Sequence, residues 1–157
     1  MLTRMVDHAH LFSEMIRFET ELWNAVDRRL RASHDLPLTW FEPMQVIHRR
    51  GACRVNDIAE ELSITVGGTS KLVDRIENAG HCGRLPHPAD RRSSLIKLTP
   101  SGTKLLARAT VSFETELDRR FGAVSSRALS QLGSTLGRLR AAGHELDNIP
   151  EQEQQHG

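Results

Sequence analysis

The side chains best suited to chemistry in this chain are cations, and they are unevenly spread. Between positions 84 and 108 stand Arg84, Arg91, Arg92, Lys97, Lys104 and Arg108, against a single acid, Asp90. Just upstream lies Thr65-Val66-Gly67-Gly68-Thr69-Ser70-Lys71, with Arg75 one helical turn beyond Lys71. Arg and Lys hold phosphates or guanine edges, and hydroxyls bond to either, so the chemistry implied is recognition of a polyanionic duplex. The two glycines have no side chain to offer and weaken a helix by about 1 kcal/mol each relative to Ala. Their value would be close backbone approach to a ligand.

Catalytic and metal chemistry are poorly served. There is no nucleophile elbow, phosphate loop or HExxH pattern, and the adjacent acids Glu60 and Glu61 diverge on a helix. The chain therefore reads as a non-enzyme with no cofactor. His81, Cys82 and His87 offer three ligands in a hairpin without a fourth, which is weak for zinc, so no metal is expected. Two cysteines cannot build a disulfide scaffold. Cys53 has Arg49, Arg50 and Arg54 as sequence neighbours, which would lower the pKa of an exposed thiol. An oxidant-responsive regulator acting through Cys53 is thus one alternative, whereas Cys82 reads as wing packing.

The 157 residues carry a net charge of only +1, which excludes a polycation that coats nucleic acid but not a local basic patch. With 38% hydrophobic and 26% charged residues the chain is globular. No stretch approaches the ~20 apolar residues of a membrane helix, and the N-terminus lacks a signal-peptide core. A cytoplasmic protein without membrane contact is expected.

The elements that must position these residues follow from periodicity. Leu11, Met15, Phe18, Leu22, Val26 and Leu30 form one stripe on a helix over about 6–32 that breaks near Ser33-His34-Asp35. Thr39 with Glu42 predicts a capping box for a second helix running to Gly51. Val55–Leu62 predicts a short third helix, and Thr65 caps a fourth that carries Leu72, Val73 and Ile76 inward and stops at Gly80. Two short helices across a tight turn are a helix-turn-helix. Gly83, Pro86 and Pro88, then Ser93–Leu98, predict a hairpin with a basic tip, a wing. Thr99-Pro100 opens a fifth helix with the stripe Leu105, Leu106, Ala109, Phe113, Leu117 and Phe121. After Gly122 comes a last helix bearing Leu129, Leu132, Leu136, Leu139 and Leu146. Residues 149–157 read as a disordered tail. The fold class is mainly α with a small β-hairpin wing, a winged helix-turn-helix flanked by terminal dimerisation helices.

The run Lys71-Leu72-Val73-Asp74-Arg75-Ile76-Glu77-Asn78-Ala79-Gly80, then Asp90-Arg91-Arg92 and Leu98-Thr99-Pro100-Ser101-Gly102, resembles the MarR-type winged helix-turn-helix regulators over most of the chain. Gly67 and Gly68 stand where many relatives carry Ser or Thr, and His81-Cys82 replaces an apolar pair. The resemblance implies a single domain with a DNA-binding lobe at 36–99 and dimerisation helices at 6–35 and 100–148. It implies a homodimer reading a pseudo-palindromic operator, in the manner of a repressor. Thr65, Val66, Gly67, Gly68, Ser70, Lys71, Arg75, Arg84, Arg91 and Arg92 would meet double-stranded DNA. An Asp74–Arg92 salt bridge would hold the wing to the recognition helix, with Arg91 in the minor groove, although the two arginines can exchange roles. Leu11, Met15, Leu129, Leu132, Leu136, Leu139 and Leu146 would line the dimer. A phenolic or lipophilic-anion effector would sit in a cleft made by Trp23, Trp40, Phe41, Met44 and His48. A non-DNA-binding dimerisation adaptor is the other alternative.

Overall fold

The structure is a computed structural model that describes residues 5–149. Its order is α1 (His8–His34), α2 (Leu38–Arg50), α3 (Val55–Leu62), α4 (Val66–Asn78), β1 (Cys82–His87), β2 (Asp90–Leu98), α5 (Pro100–Phe121) and α6 (Ser126–Asp147). The chain divides into two compact units between Leu117 and Asp118, within the last turns of α5.

In the first unit, α1 begins two residues later than the periodicity suggests, because Asp7 caps it by accepting from the Ala9 and His10 amides. It ends at a left-handed Asp35 (φ 50°), a conformation that Asp tolerates and that stops a helix. The Thr39–Glu42 capping box does not form. Helix α2 starts earlier, at Leu38, and its first amide donates to Asp27 Oδ1 of α1 at 2.9 Å. A side chain from a neighbouring helix thus supplies the cap that local sequence was expected to provide. Pro43 sits inside α2, where it cannot give the bond to the Thr39 carbonyl that other residues would.

The apolar stripe of α1 serves two ends. Val26 and Leu30 are buried, but Leu11, Met15 and Phe18 are exposed. The buried half joins Leu36, Phe41, Met44 and Ile47 of the α2 region, Ile58 of α3, Val73 and Ile76 of α4, and Leu106 and Ala109 of α5 in one core. Phe41 packs on Phe113 with ring centres 4.8 Å apart. Leu72, expected to face inward, is only half-buried, and Thr69 takes the deeper place.

The hairpin is tighter than the composition indicates. Only Pro88 and Ala89 separate its strands, and Pro86 lies within β1 opposite Ser94, with an irregularity between Pro86 and His87. Cys82 pairs with Leu98. On its other side β2 is bridged by Cys53, whose amide donates to the Ile96 carbonyl at 3.1 Å while Ile96 donates back at 2.6 Å. The α2–α3 connection is thereby hydrogen-bonded to the wing.

The second unit is α6 with the end of α5. Ser125 caps α6 by accepting from the Ala128 amide, and no residue of α6 is buried. Leu132, Leu136, Leu139 and Leu146 are exposed and Leu129 is half-buried. Of the expected tail only Ile149 is described; 150–157 lie outside the described residues.

Candidate nucleic-acid interface

Ser63 adopts a left-handed φ of 54° and turns the chain from α3 into α4 within three residues. Thr65 then caps α4, its Oγ1 accepting from the Gly68 amide at 3.1 Å. Val73 and Ile76, with Thr69, bury one face of α4. The opposite face therefore points outward: Thr65, Val66, Gly67, Gly68, Lys71, Asp74 and Arg75 are exposed and Ser70 is half-buried. The expected recognition residues are brought together on one accessible helix end.

The adjacent ion pairs differ from expectation. Asp74 Oδ1 accepts from Arg84 Nη2 at 2.7 Å, and Glu77 Oε1 accepts from Arg84 Nη1 at 2.9 Å. The Arg84 amide also donates to Glu77, at 3.1 Å. So the clamp between α4 and the wing is made by Arg84, read from sequence as a DNA contact, and Arg84 is committed to two carboxylates instead. The opposing carboxylates raise its already high pKa, against burial that acts to lower it. The side chains of Arg91 and Arg92 lie outside the described residues, and with them the Asp74–Arg92 bridge and the minor-groove contact.

A second set of ion pairs fixes the approach to α3. Arg49 and Arg50 both bind Glu61, the latter at 3.1 Å, and Arg50 reaches Asp57 at 4.0 Å. These contacts hold the Glu61 carboxyl below its usual range, chiefly through the bond from Arg50. Two of the arginines expected to activate Cys53 are therefore spent on α3. Cys53 is only 2% exposed, and burial pushes its thiol up to about 11. Arg50 alone pulls the other way, and weakly. Cys82 is buried too and likewise raised to about 11 by burial. A thiol held neutral and covered is a packing group, so the Cys53 sensing environment is not present. Of the His81–Cys82–His87 trio, Cys82 is interior and the His87 side chain lies outside the described residues.

The Leu98–Gly102 motif acquires a structural reason. Thr99 Oγ1 donates to the Gly80 carbonyl at 2.7 Å, Ser101 donates to the same oxygen at 3.2 Å, and the Gly102 amide donates to Thr99 Oγ1 at 3.0 Å. A Cβ at residue 102 would collide with the His81 carbonyl. The motif is the joint between the end of α4 and the start of α5. Nothing in composition or periodicity signalled it.

The five residues expected to share a cleft do not. Phe41 and Met44 are fully buried core. Trp40 is half-buried and edges onto the His81 ring at 6.4 Å. His48 lines a hollow of about 340 Å³ with Gln45, Arg49, Thr103, Leu106 and Ala107. Trp23 lines a separate hollow of about 190 Å³.

Residues 36–94 match the model of the MarR family. That segment is a MarR-family winged helix-turn-helix. Among curated relatives of this MarR-type lobe, the multiple antibiotic resistance protein MarR of Salmonella typhimurium is 32% identical over 71 residues, covering 45% of this chain and 49% of that protein. The chain spans a little under half the length of the first curated relatives it matches. Among solved structures, a MarR family transcriptional regulator from Streptomyces coelicolor in complex with DNA superposes with TM-score 0.81 at 22% identity, covering 95% of this chain and 96% of that one. BpsR of Bordetella bronchiseptica, described by the regulation of its DNA binding by 6-hydroxynicotinic acid, gives 0.76 at 19% identity over 83% of this chain and 98% of that one. The likeness shows that the MarR-type fold extends beyond 36–94. No helix among the described residues is long and apolar enough to cross a membrane.

Proposed function

We propose that this chain is a sequence-specific, double-stranded-DNA-binding transcription regulator of the repressor kind, a cytoplasmic non-enzyme. It acts as a homodimer on a pseudo-palindromic operator. The observation that carries the reading is the exposed, Thr65-capped end of α4, with Lys71 and Arg75 projecting from it and the wing clamped beside it by Arg84. A helix so presented fits the major groove, and its N-terminal residues reach base edges. The fold it shares with a regulator solved on DNA supports the same orientation. Thr65, Val66, Gly67, Gly68 and Ser70 approach the bases; Lys71 and Arg75 take phosphate, with Arg91 or Arg92 at the minor groove.

The homodimer rests on apolar surface left uncovered on α1 and on α6, including Leu11 and Met15 on the first and Leu132, Leu136, Leu139 and Leu146 on the second. Such surface marks an interface. In this division of labour 36–99 reads DNA, while 6–35 and 100–148 dimerise. Release by a small lipophilic anion fits the hollow at His48 and Arg49, with its floor of Leu106 and Ala107.

Selection of bound sequences from a random DNA pool tests the reading. A two-fold dimer selects two related half-sites about 10 base pairs apart, one helical turn. Enrichment of no sequence would leave the dimerisation adaptor in its place.

A further inference from the structure

The first two turns of α4 are short of the groups that read bases by hydrogen bonding. Between Thr65 and Leu72 there is no Arg, Asn, Gln or carboxylate, so the two-pronged pairings that those side chains make with guanine, adenine or cytosine edges are not available there. The hydroxyls are partly engaged within the chain. Thr69 is fully buried, its Oγ1 donating to the Thr65 carbonyl at 2.7 Å, and Thr65 Oγ1 accepts from the Gly68 amide. Gly67 and Gly68 contribute no side chain, and Asp74, a turn beyond Ser70, is held by Arg84. Ser70 and Lys71 are the remaining polar side chains. What this helix end does present is apolar. Val66, the first residue of α4, is 52% exposed, and Ile64, in the turn from α3, is 41% exposed.

Side chains on a helix tilt toward its N-terminus, so Val66 leans off the open end of α4. The glycines that follow it leave that side chain standing clear. A β-branched residue is stiff at χ1, so contact costs Val66 little rotamer freedom. In the major groove, thymine is the one standard base that shows a methyl group, and apolar side chains pack on it. We propose that Val66, with Ile64 two residues before it, is a specificity-determining residue that reads the C5-methyl group of one thymine in each half-site. This inference rests on the DNA-binding reading above and adds which feature of the duplex the end of α4 tests. Covering one such group corresponds to about a fourfold change in affinity.

The test uses the full chain and the duplex recovered from the random-pool selection, with binding followed by fluorescence anisotropy at fixed salt. Each thymine is replaced in turn, in both half-sites at once, by deoxyuridine, which removes only the methyl group. One position is expected to lose about fourfold per half-site. Val66→Ala should weaken the thymine duplex comparably and bind the thymine and deoxyuridine duplexes alike, the coupling that a double-mutant cycle measures. Ile64→Ala should keep most of the preference. At the same position 5-methylcytosine, paired with guanine, should bind tighter than cytosine, because it returns the methyl group to the same place. The deoxyuridine series needs no change in the protein, so it stands even if Val66→Ala folds poorly by circular dichroism. Indifference to deoxyuridine at every thymine, or a preference that folded Val66→Ala leaves intact, would overturn the assignment and leave the DNA-binding reading in place. A gain from 5-methylcytosine without a loss from deoxyuridine would overturn thymine as the base read. A pool that yields no bound sequence would overturn both this inference and the reading beneath it.

Discussion

Gly67 and Gly68 are adjacent, yet different neighbours explain them. A Cβ at 68 would lie 2.9 Å from the Thr65 hydroxyl that caps the helix, so this glycine has a reason inside the chain. A Cβ at 67 would meet nothing within 4 Å. If close approach to DNA explains it, Gly67→Ala should stabilise α4 by up to about 1 kcal/mol in a denaturant titration and still weaken operator binding. A variant both more stable and equally tight would remove Gly67 from the interface. The thiols make the second prediction at this scale. Cys53 and Cys82 have folded values of about 11 against 9.0 for a free thiol. Their contribution is complete below 9.0 and is lost as pH rises towards 11, because the unfolded chain releases protons that the folded one retains. Thermal stability should therefore fall across that window, and the Cys53→Ala, Cys82→Ala pair should flatten the fall. The chain has no tyrosine to obscure the effect. The cationic sequence neighbours of Cys53 were legible; their commitment to Glu61 and the depth of the thiol were not, since both depend on where α3 and β2 come to rest.

Helices α3, α4 and α5 were readable because caps and glycine stops are local. Thr65, Gly80 and Thr99-Pro100 act within a few residues of themselves. The start of α2 was misread because its cap, Asp27, is 11 residues away in sequence. The α4–α5 joint belongs to this scale as well. Gly102→Ala must push the α5 backbone off the His81 carbonyl and should cost about 1–3 kcal/mol, as overpacking does. Equilibrium unfolding measures it directly. An unchanged midpoint would mean that α5 can slide without loss. The clamp between α4 and the wing was foreseen as a type of contact, an ion pair on Asp74; among the described residues Arg84 makes it, and the Arg92 side chain lies outside them. Arg84 makes it because β1 leaves α4 directly and keeps this side chain within reach of both Asp74 and Glu77.

For the whole molecule, the exposed leucines of α6 and the outward half of the α1 stripe are the largest feature unexplained by a single copy. Leu136→Asp, at a residue 37% exposed on a helix with no buried position, should leave the winged lobe folded while breaking the proposed dimer. Sedimentation would show half the mass, and operator affinity should fall by orders of magnitude as the second half-site is lost. A variant that still sediments as the wild type would place the interface elsewhere. The near-neutral net charge is consistent with this picture: the six cations between positions 84 and 108 face a single acid, and the rest of the chain offsets them.

Sequence alone determined the element order, the helix-turn-helix, the wing and the cationic character of the candidate interface. Each of these is set by periodicity, caps and residue type over a few positions. Tertiary structure decided which apolar residues are core and which are left outside, dividing the α1 stripe between Val26 and Phe18. It also decided which arginine clamps α4, why residue 102 is glycine, and that the aromatic candidates line separate hollows or none. These outcomes depend on which groups from distant segments reach each other in space, and a local pattern carries no record of that.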